Sequence, residues 1–196
     1  MGKIVISENV SLDGIVDDPT GEEGSGHGHW TGQISERDRG QWYQALHEEA
    51  LSAQALLIGR RSDEWFARRW LPRGGEQADR LNGMPKYVVS STLDEPSWSN
   101  ATVLSGDMVG GVTKLKEKLA GDIVVYGSIQ LAHALLEHGL ADEVRMFVYP
   151  VVLGAGQRLF TETSDKRPLR LIRTRTIGEN LIQLSYERAG YRRSGT

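Results

Sequence analysis

Three short stretches place glycine, hydroxyl and arginine side chains directly behind apolar runs, a set of groups suited to holding anionic oxygen. The run ALLI, residues 55–58, leads into Gly59-Arg60-Arg61-Ser62. KYVV leads into Ser90-Ser91-Thr92, and DIVVY into Gly127-Ser128. Glycine lets a ligand approach the backbone, and a helix starting there offers N–H groups with no partner inside the helix. Guanidinium groups add charge-assisted hydrogen bonds, and hydroxyls add donors. A phosphorylated ligand is the class these groups share. A plainer reading stands beside it, because a Gly-Ser pair between strand and helix is also ordinary turn and capping chemistry. Arg60-Arg61 says more: two cations at a helix start oppose the helix dipole, and a bound anion would remove that cost.

Other chemistries find little support. GAGQRLF, residues 154–160, contains G-x-G after an apolar run. It has no third glycine, opens no helix and lacks the acid expected about 20 residues on, so it reads as a tight loop. His27 and His29, near Asp17 and Asp18, are the one group resembling metal ligands, and no metal is expected there. No G-x-S-x-G elbow or H-E-x-x-H occurs. His47, His133 and His138 fall on predicted helices as solvated or capping residues. Arg170, Arg173 and Arg175 line a predicted hairpin as an edge-protecting face.

The elements positioning these groups alternate. Strands are predicted over residues 3–10, 55–59, 86–91, 102–107 and 122–127, and a long one from 143 to Pro150 or just beyond. Helices are predicted from Ser35, with Trp42, Leu46 and Ala50 on one stripe, and from Arg61 to Trp70, after which RGGEQ reads as loop. Another is capped by Asp107 with Val109, Val112, Leu115 and Leu119 inward, and a last one follows Ser128. LRLIRTRTI and LIQLSYER close the chain as a hairpin around Gly178-Glu179-Asn180. The predicted class is α/β: three α/β/α layers on a mixed, mostly parallel sheet with a C-terminal β-hairpin. In such sheets ligands bind beyond the carboxyl ends of the parallel strands, where all three stretches fall. Residues 17–34 read as a long Gly- and Asp-rich loop, a candidate lid carrying Trp30.

The totals set bounds. The 196 residues suffice for one domain, 1–196, with 39% apolar and 25% charged residues. A net charge of −3 gives no nucleic-acid footprint. The absence of cysteine excludes disulfides, thiolate zinc sites and a cysteine nucleophile. No apolar run nears the ~20 residues of a membrane span. A cytoplasmic protein without membrane contact is expected.

Taken together, SLDGIVDD, LLIGRRSDEW, MPKYVVSSTL and the block from Asp122 to Phe160 resemble the dihydrofolate-reductase-like family. The branch is the one containing the C-terminal reductase domain of bacterial riboflavin biosynthesis. The resemblance implies NADPH as cofactor, a small-molecule substrate and a homodimer. It assigns Gly59, Arg60, Arg61 and Ser62 to the loop on the cofactor's phosphates. Ser90 and Ser91, with an arginine of that loop, match positions around the adenosine 2′-phosphate. Gly127, Ser128, Ile129, Gln130 and Leu131 match the turn and helix start on the pyrophosphate, and Val16 the backbone contact to the nicotinamide amide.

Two departures bear on the substrate. Ser7 stands where the riboflavin branch carries lysine, and the acid of dihydrofolate reductases has only Glu36 or Asp38 nearby, both expected at a solvated helix start. Neither folate reduction nor the riboflavin step is therefore expected. Asp13 and Trp30 are the candidate substrate residues, with Asp13 or water as proton source. The expected function is an NADPH-dependent oxidoreductase passing hydride to a C=N or C=O carbon of a small heterocyclic or sugar-like molecule. The alternative is a non-catalytic NADPH sensor on the same fold.

Overall fold

The computed structural model describes residues 1–26, 28–161 and 167–189. One eight-stranded sheet dominates, built from β1 (Lys3–Ser11), β2 (Ala55–Gly59), β3 (Lys86–Val89), β4 (Ala101–Leu104), β5 (Asp122–Tyr126), β6 (Glu143–Tyr149), β7 (Leu169–Ile177) and β8 (Leu181–Arg188). The order is β4-β3-β2-β5-β1-β6-β8-β7. Neighbours from β4 to β6 pair in parallel, and β8 and β7 add an antiparallel edge. This is the dihydrofolate-reductase-like arrangement expected from the sequence, hairpin included.

Strand alternation distributes the core between two faces. Ile4, Ile6, Leu57, Ile123 and Val125 pack with Val112 and Leu115 of α4 (Met108–Lys118) and Leu131, Ala132 and Leu135 of α5 (Ile129–Glu137). Val5, Leu56, Ile58 and Val124 pack on the other face, with Ala50 of α1 (Glu36–Ser52), Ala67 of α2 (Arg60–Trp70) and Leu81 of α3 (Glu76–Gly83). Both faces of the parallel strands are covered, which is why those strands read as continuous apolar runs.

The caps on α1 and α4 follow the sequence. Ser35 accepts from the Asp38 N–H and Asp107 from the Val109 N–H. Helix α3 does not, because the segment expected to be loop folds one residue after Gly75, whose φ is +100°. Asp38 also departs from expectation. It is buried rather than solvated, and its carboxylate accepts from Glu179 N–H, Asn180 N–H and Asn180 Nδ2, fastening α1 to the β7–β8 turn. Beneath α1, Arg145 of β6 binds Glu49 at 3.0 Å, Asp122 at 2.9 Å and Glu143 at 2.5 Å, joining one helix to two strands. Among the described residues, no helix is long and apolar enough to cross a membrane.

Candidate functional site

The sheet order makes β3, β2 and β5 consecutive, so their carboxyl ends lie along one rim. Helix α2 begins at the residue after β2, with Gly59 as its N-cap and no side-chain cap bond. Helix α5 is likewise uncapped, because Ser128 adopts a left-handed conformation (φ +62°, ψ +50°) and its hydroxyl turns elsewhere. Ser128 Oγ accepts from the Gly59 N–H at 2.9 Å and donates to Ser62 Oγ at 2.7 Å. The residue placed to close one helix thus ties two helix starts together. The first-turn N–H groups of both are left without a bond from the cap side chain.

Gly127 precedes Ser128 with φ +58°. A Cβ there would meet Ser62 Oγ at 3.6 Å and Phe66 Cε2 at 3.9 Å, ordinary contacts, so backbone conformation rather than crowding calls for glycine. At the third strand end, Ser90 Oγ accepts from the N–H groups of Thr92 and Leu93, at 3.3 and 3.1 Å, and its hydrogen remains available. Arg60 spans the gap between corners: Nη1 reaches Thr92 Oγ1 at 3.4 Å while Nε holds Glu64 at 2.9 Å. Ser91 and Arg61 are exposed, and the Arg61 charge acts on Glu23 of the 17–34 loop. Gly59, Arg60, Ser62, Ser90 and Ser128 therefore share one linked rim, with Ile129, Gln130 and Leu131 forming the first turn of α5. Such a rim can accept an extended, multiply charged phosphate ligand.

The loop residues fall differently. Val16 is buried in the cluster that also holds Val10, Leu131 and Leu159, and its N–H donates to Gln157 O at 2.9 Å. Only its carbonyl is left for an amide. Asp13 is a correction: its carboxylate accepts from Ser11 Oγ at 2.7 Å, Gly154 N–H at 2.8 Å and Leu153 N–H at 3.1 Å. The Ser11 hydroxyl and these N–H groups hold its carboxyl down to about 2, which favours the ionised form and argues against Asp13 as the proton source. Asp17 works the same way on Gln157 N–H, which explains the GAGQ segment as a tight loop latched by two aspartates.

Trp30 is also a correction. It lies in a short 3-10 turn, 1% exposed, edge-on to Tyr149 at 5.3 Å, with its indole N–H on Asp17 O. An indole so enclosed belongs to the core rather than over a substrate. The rest of the 17–34 loop is organised by buried Asp18, which accepts from Glu23 and Ser25 N–H groups. Glu22 then docks the loop on α2 through Trp65 Nε1 at 2.8 Å and Arg69 at 3.2 Å. His27 lies outside the described residues, among which no acidic or histidine cluster is arranged to hold a metal ion.

The sequence reading missed Glu8. It is 7% exposed on β1, and burial first, then Glu49, push its carboxyl up to about 8, against the opposing pull of the Gly127 N–H. The available signal was register: Glu8 interrupts the inward series Ile4, Ile6, Val10.

The RibD C-terminal domain family matches residues 2–183. YyaP of Bacillus subtilis (strain 168), described as uncharacterized, is 28% identical over 190 residues, 94% of each chain. In fold, the chain is similar to a putative riboflavin biosynthesis protein from Shewanella sp. PV-4, with TM-score 0.70 and 18% identity over 96% of this chain and 99% of that one. The deaminase/5-amino-6-(5-phosphoribosylamino)uracil reductase of Thermotoga maritima gives TM-score 0.64 and 15% identity, over 96% of this chain and 57% of that one. Dihydrofolate reductase from Enterococcus faecalis, complexed with NADP(H), gives 0.57 and 12% identity over 96% and 97%. The chain is a reductase-like domain and belongs to the RibD C-terminal domain family.

Proposed function

We propose that the protein is a cytoplasmic NADPH-dependent reductase of a small heterocyclic or sugar-like substrate carrying C=N or C=O. The observation that carries this reading is the Ser128 hydroxyl, which locks two uncapped helix starts into one cradle beside Arg60. First-turn N–H groups at Ile129, Gln130 and Leu131 would face the pyrophosphate. Arg60, Arg61, Ser62, Ser90 and Ser91 would take the remaining phosphate charge, and the Val16 carbonyl the nicotinamide amide. The bound cofactor would supply the hydride, while the chain orients it and excludes water. The test is NADPH consumption against a panel of pterins, ribitylated pyrimidines and small carbonyls, with tryptophan quenching as the binding readout. The absence of both quenching and consumption would overturn the reading.

A second reading, a non-catalytic NADPH sensor, is favoured by one observation: the Asp13 carboxylate is committed to Ser11 and to the backbone of residues 153–154. Quenching by NADPH without consumption across the panel would select it. The partner proposal is a second copy of this chain on β7, the sheet's edge strand, where Leu169, Leu171 and Ile172 are exposed. Light scattering of wild type and Leu171→Glu tests it: a monomeric wild type removes the dimer.

A further inference from the structure

A carboxyl group lies directly behind the cradle and has no part in the function just proposed. Glu8 Oε1 is wholly buried and has no hydrogen-bond partner. Alternation along β1 puts Glu8 in the series of Ile6 and Val10, on the face packed by α4 and α5. Val16 and Leu131, expected beside the cofactor, belong to that same cluster. On β6 its register neighbour is Met146, and on the β5 side its polar neighbour is the Gly127 N–H. Buried carboxyls without a charged partner are held neutral near pH 7, as neutral acids able to donate as well as accept.

We propose that Glu8 is a proton-linked positioning residue of the dinucleotide site, neutral when the cofactor is bound and opposed to its phosphates when ionised. This rests on the cofactor reading above. The physical argument starts from Gly127, whose N–H lies immediately before the donors of Ser128 and Ile129. A neutral Glu8 can accept from Gly127 and hold the corner without adding charge. An ionised Glu8 puts a full negative charge behind those donors, in a dry environment that screens it poorly. Linkage makes the effect reciprocal: a phosphate at the corner raises the proton affinity of Glu8, so binding NADPH takes up a proton. The other charges on elements around the corner include Glu49 of α1 with its partner Arg145 of β6, and Arg60, Arg61, Asp63 and Glu64 of α2. Lys86, which burial brings down to about 8, titrates over the same range, so a pH effect alone does not identify Glu8.

The experiment is NADPH binding to the full chain, wild type and Glu8→Gln, followed by tryptophan fluorescence from about pH 7 to about pH 9. Calorimetry near pH 8 in buffers of different ionisation heat then counts protons. Wild-type affinity should fall about tenfold more than that of the variant over this range, with about half a proton more taken up on binding. Equal pH dependence and equal proton uptake in the two proteins would overturn the proposal and leave the cofactor reading intact. No NADPH binding by either protein at any pH would instead sink the cofactor reading, and this inference with it. Should the variant fail to fold, wild-type calorimetry still decides, because zero proton uptake near pH 8 refutes the coupling.

Discussion

The two sides of the site use polar groups in opposite ways. Along the β3-β2-β5 rim, hydroxyls and arginine link the corners while helix N–H groups and hydroxyl hydrogens are left outward. Around the loops after β1 and β6, carboxylates are consumed in holding backbone: Asp13 on residues 153–154, Asp17 on 157, Asp18 on 23 and 25. The rim is a surface with donors to spare, and the loop side is latched shut by its own acids. An acid's presence near a site therefore says little about catalysis until its lone pairs are accounted for.

The largest effect expected from breaking this contrast is at Glu8, a buried acid whose Oε1 has no hydrogen-bond partner. Its folded value of about 8 lies above the ordinary 4.5, so the folded protein binds more protons between those limits. Stability present at low pH is then lost as pH rises through that window, by a few kcal/mol at most. Denaturant midpoints for wild type and Glu8→Gln should diverge from about pH 5 to about pH 8, the wild type losing more.

Arg60→Ala comes next. Loss of charge-assisted bonds should weaken NADPH by ~10- to 100-fold and NADH by only a few-fold, read from paired titrations. Equal losses would remove the 2′-phosphate assignment. Ser128→Ala should cost about 1–2 kcal/mol in thermal unfolding, because Gly59 N–H and Ser62 Oγ lose a shared partner, and should also weaken NADPH. The smallest effect is expected from Asp13→Asn, which should lower the melting temperature above about pH 4 and leave the pH profile of any turnover unmoved. A shifted profile would restore Asp13 to the chemistry.

The same contrast explains what could be read from the chain. Glycine, serine and arginine at the ends of apolar runs carry their meaning locally, so the rim and its sheet were visible as residue types at strand tips. Asp13, Asp18 and Asp38 were not legible, because their partners at 153–154, 23–25 and 179–180 depend on how loops meet in space. Trp30 looked like a lid residue because glycines surround it, whereas Asp17 and Tyr149 enclose it. Helix α3 escaped because its eight residues follow two glycines and carry few apolar positions.

The Glu22 contact on α2 gives the protein a built-in optical probe. Because the indole of Trp65 donates to that carboxylate, its emission will change whenever the 17–34 segment leaves the helix. Comparing wild type with Trp65→Phe would isolate that signal from the other four tryptophans, turning loop motion into something measurable in real time without a label.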